Sequence, residues 1–307
     1  MPVPVRLSVV ITNYNYREFV AEAVDSALAQ TRPPLEVVVV DDGSSDGSIE
    51  LLQTRYADEP RVRLLCVSNA GQLAAFQRGL AATEGDVVCF LDADDRWSPT
   101  YLAQIGDRYD ASAEIDFVFS DVTLIGNESG RQGYAAEAQD IGYTVLATWV
   151  TGRWYGAPTS ALSLRRALAD KVLDLPVQML ANWRISADNC LVFGASVLGA
   201  HKYFLPTGAV DYRIHGRNGW WHDQARARHF PALLRSRCLI NYYAQRSYLD
   251  DHALGLAKQE FLTRANPDWA EARLYAGIAM RAPAPWWKRL ERALAILRRG
   301  RRSRGHR

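Results

Sequence analysis

The stretch "LEVVVVDDG", residues 35–43, runs four consecutive valines into two carboxylates and a glycine. An unbroken β-branched run suits a strand covered on both faces, because a half-exposed strand would alternate apolar with polar residues. Such a strand needs helical layers above and below it, and the neighbouring sequence supplies them. Ahead of it, "RLSVVITNYNY" is an apolar run with a polar end, and Val20, Val24, Ala27 and Leu28 then recur at helical spacing. The unit repeats as a strand over "VRLLCVSN", a helix over "GQLAAFQRGLAATEG" with Gly85 as its stop, and a fourth strand over "DVVCFL". Alternation of this kind predicts an α/β fold with a mainly parallel sheet flanked by helices.

Beyond residue 97 the pattern loosens. "SPTYLAQIGDRYDA" predicts a helix capped by Ser98 with Pro99 in its first position, and "IDFVFSDVTLIG" predicts one strand. "TSALSLRRALADKVL" starts as strand and becomes helix, "SADNCLVFGASVLG" is helical, and "KYFLPTGAVDYRIHG" contains a short strand ending at Tyr212–His215. From about residue 222 the pattern is helical.

A chain of 307 residues with 48% hydrophobic content can bury a sizeable core. Cys66, Cys89, Cys190 and Cys238 are scattered, with no C-x-x-C pair, which predicts reduced thiols and a cytoplasmic setting. No segment reaches the ~18 apolar residues of a spanning helix, and the N-terminus lacks a basic region followed by an apolar stretch. The net charge of +2 hides an asymmetry: residues 281–307 hold ten Lys/Arg against Glu291, so the tail carries +9 and the body −7. An acidic body argues against nucleic acid as partner.

In open α/β sheets, ligands bind beyond the carboxyl ends of the strands. Polar residues stand there three times: Thr12 to Asn15, Asp41 with Asp42, and Asp92 to Asp95. Residues two apart on a strand point the same way, so Asp92 and Asp94 are expected to face one ligand while Ala93 faces away. Two converging carboxylates repel, and a hard cation such as Mg²⁺ or Mn²⁺ would relieve this and hold a diphosphate leaving group. The alternative is a turn cluster ahead of Ser98 and Pro99.

"SVVITNYNY", "VVVVDDGSSDGS", "NAGQ…GLAATEGDVVCFLDADD" and "YRIHG", in this order, resemble the family 2 glycosyltransferases. The resemblance covers residues 7–97 strongly, residues 98–220 more loosely and the tail not at all. It implies a Rossmann-like GT-A fold and metal-dependent, inverting transfer from a nucleotide-sugar donor, a UDP-sugar foremost, to a glycan or lipid-linked acceptor in surface polysaccharide assembly. The expected organisation is a catalytic domain over 1–221, divided into a nucleotide-sugar-binding half (1–97) and an acceptor-binding half (98–221), then, from the helical pattern and the charge, a helical extension (222–280) and a basic amphipathic tail (281–307).

Carried over by position, Thr12 and Tyr14 meet the base and Asp41 hydrogen-bonds it. Asp92 contacts the ribose, Asp94 ligates the metal and Asp95 supports them. His215 matches a position that approaches the metal or the diphosphate, although a lone His is more often structural; the alternative is that Arg213 instead neutralises phosphate charge, a task suited to a guanidinium. Asp188, opening a helix, stands where the family has its catalytic base; its alternative is an ordinary acid favourable to the helix dipole. The chain departs from the family where relatives carry Arg-Asn and it has Phe76-Gln77, which leaves Gln72 and Arg78 as candidates for the donor sugar or diphosphate. No Gln-x-x-Arg-Trp motif is present, so transfer of one or a few sugars is expected. Trp154, Tyr155 and Trp183, with Trp149, Trp220 and Trp221, are candidates to stack on an acceptor sugar, although each reads first as core packing.

Two rival functions stand beside this one. A sugar-phosphate nucleotidyltransferase would need a Gly-rich basic loop after the first strand, and "TNYNYREF" is not one. An inactive nucleotide-sugar-binding module is set against the presence of Asp41, Asp92, Asp94 and Asp188. The tail, "PWWKRLERALAILRRGRRSRGHR", places Trp287, Leu290, Leu294 and Leu297 on one helical face among basic residues. It suits either an anionic membrane surface, peripheral at the inner face, or docking on the acidic body.

Overall fold

The valine run forms a fully buried strand, second from one edge of the main sheet, in the computed structural model, which describes residues 3–216 and 230–302. The first ninety residues alternate regularly as β1 (Leu7–Asn13), α1 (Val20–Leu28), β2 (Glu36–Asp41), α2 (Ser48–Arg55), β3 (Val62–Cys66), α3 (Gln72–Ala82) and β4 (Val87–Asp92). Val37, Val38, Val39 and Val40 are wholly buried. Val37 and Val39 join the main core, while Val38 and Val40 meet Ala75 on the other face. Each such side chain contributes roughly 1.5–3 kcal/mol by leaving water.

Strands β3, β2, β1 and β4 lie side by side in that order, all parallel. Their register sets Thr12 beside Asp92 and Asn13 beside Asp41, so the polar ends form one edge. The chain winds outward from β1 through β2 to β3 and then returns to β1's other side. The crevice of a doubly wound sheet therefore falls between β1 and β4.

The second part is less regular: β5 (Arg96–Trp97), α4 (Tyr101–Ala111), β6 (Phe117–Ser120), β7 (Val122–Gly126), β8 (Gly130–Gln132), β9 (Gln139–Gly142), α5 (Val145–Thr151), β10 (Leu162–Arg165), α6 (Arg166–Leu173), α7 (Val177–Leu180), α8 (Asp188–Val197), β11 (Lys202–Leu205) and β12 (Val210–Ile214). The main sheet continues from β4 through β10, β6 and β11 to β9, with β10 antiparallel to both neighbours. A second sheet has the order β5-β12-β7-β8.

Three local expectations are corrected. The single strand expected over 115–126 is two strands in different sheets. The chain switches at Asp121, whose buried carboxylate accepts from Gly208 N at 3.0 Å and pairs with Arg131. Helix α4 starts at Tyr101, because the backbone of Ser98 is occupied: its N–H donates to Ala209 and its carbonyl accepts from Gln30. Gly85 does not stop α3, which ends at Ala82 with the Thr83 hydroxyl bonded to Leu80 O. Gly85 is small because a Cβ there would come within 2.5 Å of Ser8 Oγ.

Helices α9 (Phe230–Arg246), α10 (Ala257–Leu262), α11 (Trp269–Ala279) and α12 (Trp286–Arg302) complete the described chain. They share the main core. Tyr243 of α9 reaches Val172 O at 2.7 Å, and buried Glu260 of α10 accepts from Leu146 N at 2.8 Å and from Ala147 N at 3.1 Å, satisfying the start of α5. The expected boundary at residue 221 falls outside the described residues, as do Trp220 and Trp221. Cys89 and Cys190 are buried, Cys66 and Cys238 exposed, and all four are free thiols. No helix among the described residues is long and apolar enough to cross a membrane.

Candidate active site

A cleft of about 460 Å³ opens at the β1/β4 crevice. Its floor is Thr12, Asp92, Ala93 and Asp94; one side is the loop through Tyr14 and Tyr16, another Asn69 to Gln72, and a third Arg184 to Asp188. Asp92 accepts from Thr12 Oγ1 at 3.1 Å and from Gln72 Nε2 at 3.0 Å. Burial, then the charges of Asp94 and Asp188, push its carboxyl up to about 7. Strand β4 ends here. The chain turns at Ala93-Asp94, with Asp95 N bonded to Asp92 O at 3.1 Å, so the alternation expected through Asp94 is broken and buried Ala93 lines the cleft with its neighbours.

Asp94 meets His215 at 2.9 Å, Oδ2 to Nε2. The imidazole stacks on Phe19, with ring centroids 5.2 Å apart, and meets the edge of Tyr16. Asp95 faces inward: it accepts from Ser160 Oγ at 2.5 Å and from Arg213 N at 2.8 Å, and thereby joins the turn to β12. Its burial, with Asp94 and Asp92 close by, holds its carboxyl well above the usual carboxylate range.

Asp188 opens α8 from the facing wall. It is half-buried and accepts from Asn189 N at 2.9 Å. It enters no ion pair among the described residues. Burial pushes its carboxyl up to about 6. Gln72 bridges the two walls: its amide donates to Asp92 and its carbonyl accepts from Ala187 N at 2.9 Å. Gly71 makes the approach possible, since a Cβ at its φ of +94° would lie 2.6 Å from Arg184 Cα. Ser186, beside the base candidate, has φ 57°, an uncommon backbone state that other contacts must hold in place.

Several candidates lie elsewhere. Asp41, expected at the base, is fully buried below the cleft; it accepts from Asn13 Nδ2 at 2.6 Å and from Ser44 N at 2.8 Å, so it shapes the loop after β1. Its neighbour Asp42 lines the cleft and holds Ala70 N and Gly71 N. Arg78 lies on the surface beside Leu64 to Val67, with its guanidinium on Ser68 O. Arg213 tucks under the turn, bonded to Asp94 O at 2.9 Å and to Glu22, and is not among the cleft-lining residues. Tyr155 and Trp183 are core residues, covered by Arg264 and Arg235 respectively, and Trp154 packs against the same core. Tyr14, 50% exposed, and Thr12 do line the cleft.

The cleft also holds Asn69, Thr159, Arg184 and Tyr212, which the sequence reading did not single out as ligand-facing. Asn69 and Tyr212 belong to motifs already quoted. Arg184 has no periodic or motif signal; only its nearness to Asp188 in the chain points to it.

For a metal, Asp94 and His215 offer a carboxylate oxygen and an imidazole nitrogen within hydrogen-bond distance of one another. No group of three or more His, Cys, Asp or Glu among the described residues is arranged to hold an ion. Among the described residues the pair would supply only part of a coordination shell; Mg²⁺ and Mn²⁺ commonly complete theirs with phosphate oxygens and water.

The family profile of glycosyl transferase family 2 matches residues 8–172, more than half of the chain. The chain belongs to glycosyl transferase family 2. A glycosyltransferase of Nostoc sp. is 35% identical over 219 residues, 69% of this chain and 66% of the relative. The succinoglycan biosynthesis protein ExoO of Rhizobium meliloti is 28% identical over 277 residues, 87% of this chain and 74% of ExoO. Other curated relatives are matched over shorter stretches: the chain spans 38% of the teichuronic acid biosynthesis glycosyltransferase TuaG of Bacillus subtilis at 35% identity. Among solved structures, TarS 1–349 of S. aureus in complex with UDP aligns over 98% of this chain and 91% of its own, with a TM-score of 0.56 at 16% identity. That likeness establishes the shared GT-A fold. Family membership sets aside the nucleotidyltransferase reading.

Proposed function

We propose that the protein moves one sugar from a nucleotide diphosphate sugar to an acceptor hydroxyl with inversion, and that Asp188 takes the hydroxyl proton. The placement of Asp188 supports this reading: a carboxylate in no ion pair among the described residues, raised to about 6, shares one cleft with the strand-end residues Thr12 and Asp92. A base with that affinity is largely ionised at pH 7 and still basic enough to accept a proton in the transition state. The new bond forms from the acceptor oxygen to the anomeric carbon as the bond to the diphosphate breaks on the opposite face. The acceptor proton passes to Asp188, and the nucleoside diphosphate leaves.

The donor nucleoside is assigned to the floor and the Tyr14 side. There Tyr14 offers an exposed aromatic ring and Thr12 and Asp92 offer polar atoms, while Asp41 holds Asn13 beside them and Asp42 braces the facing wall at Ala70 and Gly71. A UDP-sugar is the donor proposed, in line with the UDP and UDP-GlcNAc complexes of TarS. Mn²⁺ or Mg²⁺ fits Asp94 and His215 and would supply charge neutralisation for the leaving diphosphate. The acceptor is proposed to be a growing glycan, as the succinoglycan role of ExoO suggests.

A thermal-shift panel of nucleotide sugars with Mn²⁺, followed by nucleoside diphosphate release with the best binder, tests the proposal. Stabilisation by one nucleotide sugar, with release of its diphosphate, is the expected result. Stabilisation without any release, with acceptor or water, would leave a binding module and overturn the catalytic reading.

A further inference from the structure

Helix α12 has two apolar faces, and only one is used. Ala293, Ile296 and Gly300 recur at i, i+3 and i+7 and are buried where α12 packs on α11; a Cβ on Gly300 would collide with that of Ala272. The helix is thus held closely by small and apolar residues. On the adjoining face, Trp286, Trp287, Leu290 and Leu294 are 63%, 57%, 41% and 42% exposed. Positions 286, 290 and 294 are four apart and 287 and 290 three apart, so these side chains form one strip. The two indoles stand edge to face at the start of the helix, with centroids 6.1 Å apart.

The same segment is strongly basic. From Trp286 onward it has nine Lys/Arg against Glu291. Lys288, Arg292 and Arg298 enter no ion pair among the described residues, so attraction to the acidic body does not account for their charge. The docking expected as one alternative is present, but it uses the Ala293/Ile296/Gly300 face and leaves the tryptophan strip outside.

We propose that this strip seats α12 flat on an anionic lipid surface, with Trp286, Trp287, Leu290 and Leu294 at the boundary between headgroups and acyl chains and the basic side chains among lipid phosphates. Tryptophan suits that boundary because it joins an apolar ring to a hydrogen-bonding N–H. A second copy of the chain is a poorer occupant: a two-fold contact through the strip would bring two strongly basic segments together. Nucleic acid would satisfy the charge but leave the leucines uncovered.

Flotation of the full chain with vesicles tests the assignment. Binding is expected to vesicles of phosphatidylcholine mixed with phosphatidylglycerol, weakly or not at all to phosphatidylcholine alone, and to fall as salt is added. Each basic residue near such a surface is worth about fivefold in partition, so Lys288→Gln with Arg298→Gln should weaken it by roughly 25-fold. Trp286→Ser with Trp287→Ser should abolish it, while donor hydrolysis in solution and Tm stay unchanged, which separates this proposal from the catalytic one. Equal binding to both vesicle types would overturn the anionic assignment. Absence of binding, or a dimer in solution that the tryptophan changes convert to a monomer, would overturn the lipid assignment altogether.

Discussion

Replacing Asp188 by Asn separates the two readings of that residue, because they predict stability changes of opposite sign. Folding raises this carboxyl from its ordinary 3.8 to about 6, chiefly by burial. The folded state therefore binds a proton more tightly than the unfolded chain does. The associated stability is full below about pH 4 and is lost as pH rises to about 6; above that the ionised carboxylate is a standing cost of up to ~3 kcal/mol, from roughly two pKa units. Asparagine removes the cost. It also removes a charge in the first turn of α8, worth about 0.3–1 kcal/mol in the other direction. The variant should thus be more stable than the parent at pH 8 by roughly 1–3 kcal/mol, equivalent to about 2–4 °C in Tm for each kcal/mol in domains of this order. The two proteins should converge near pH 4.

Transfer by the Asp188→Asn variant should fall by about 10²–10⁴, the usual worth of a positioned base, with donor binding unchanged. In the parent, kcat/KM should drop about tenfold for each pH unit below about 6, where Asp188 is protonated. Thermal melts from pH 4 to 8, initial rates and donor titration together decide the matter. A variant that is less stable than the parent at pH 8, and keeps a good part of its transfer activity, would refute the reasoning and leave Asp188 as a helix N-terminal acid.

Other perturbations probe the walls of the cleft. Donor with Mn²⁺ at a hundredfold excess over Kd should stabilise the parent by about 2.7 kcal/mol in total, and Asp94→Asn should remove the part of that shift that depends on Mn²⁺; a shift that survives the change and resists EDTA would count against a metal at Asp94 and His215. Gln72→Leu leaves the Ala187 N–H and one side of Asp92 without their partner, so urea unfolding should show a loss of about 1–3 kcal/mol along with slower transfer. Gly71→Ala combines a φ of +94° with a backbone collision at Arg184, and should destabilise the protein by at least ~1 kcal/mol and raise KM for the donor.

The first ninety residues were legible because β1, β2 and β4 are buried on both faces and so are largely apolar runs with an abrupt polar end, as "VVCFLDADD" is. The part from β5 to β12 was not, because its strands are short and shared between two sheets. Nothing local to "FVFSDVTLIG" shows that Asp121 is anchored by Gly208 and Arg131, far along the chain. Strand ends pointed to the cleft, yet which of Asp41 and Asp42 lines it depends on loops brought in from Asn13 and Asn69, and a run of residue types does not record that. Tyr155 and Trp183 illustrate the same limit: an aromatic side chain has equal appetite for a sugar face and for a core, and only packing tells them apart.

Glu260 bears on the order in which the chain can be completed during synthesis. Strands β1 to β4 are joined by short local connections, so their parallel pairing with one another is complete once residue 92 has emerged. Helix α5, by contrast, finds the carboxylate for its first N–H groups 114 residues downstream at Leu146 N. Contacts of such sequence separation form late and slowly. The part around α5 must therefore wait, with some of its apolar surface uncovered, until the C-terminal helices arrive; in that interval, more than in the finished molecule, this chain is open to aggregation.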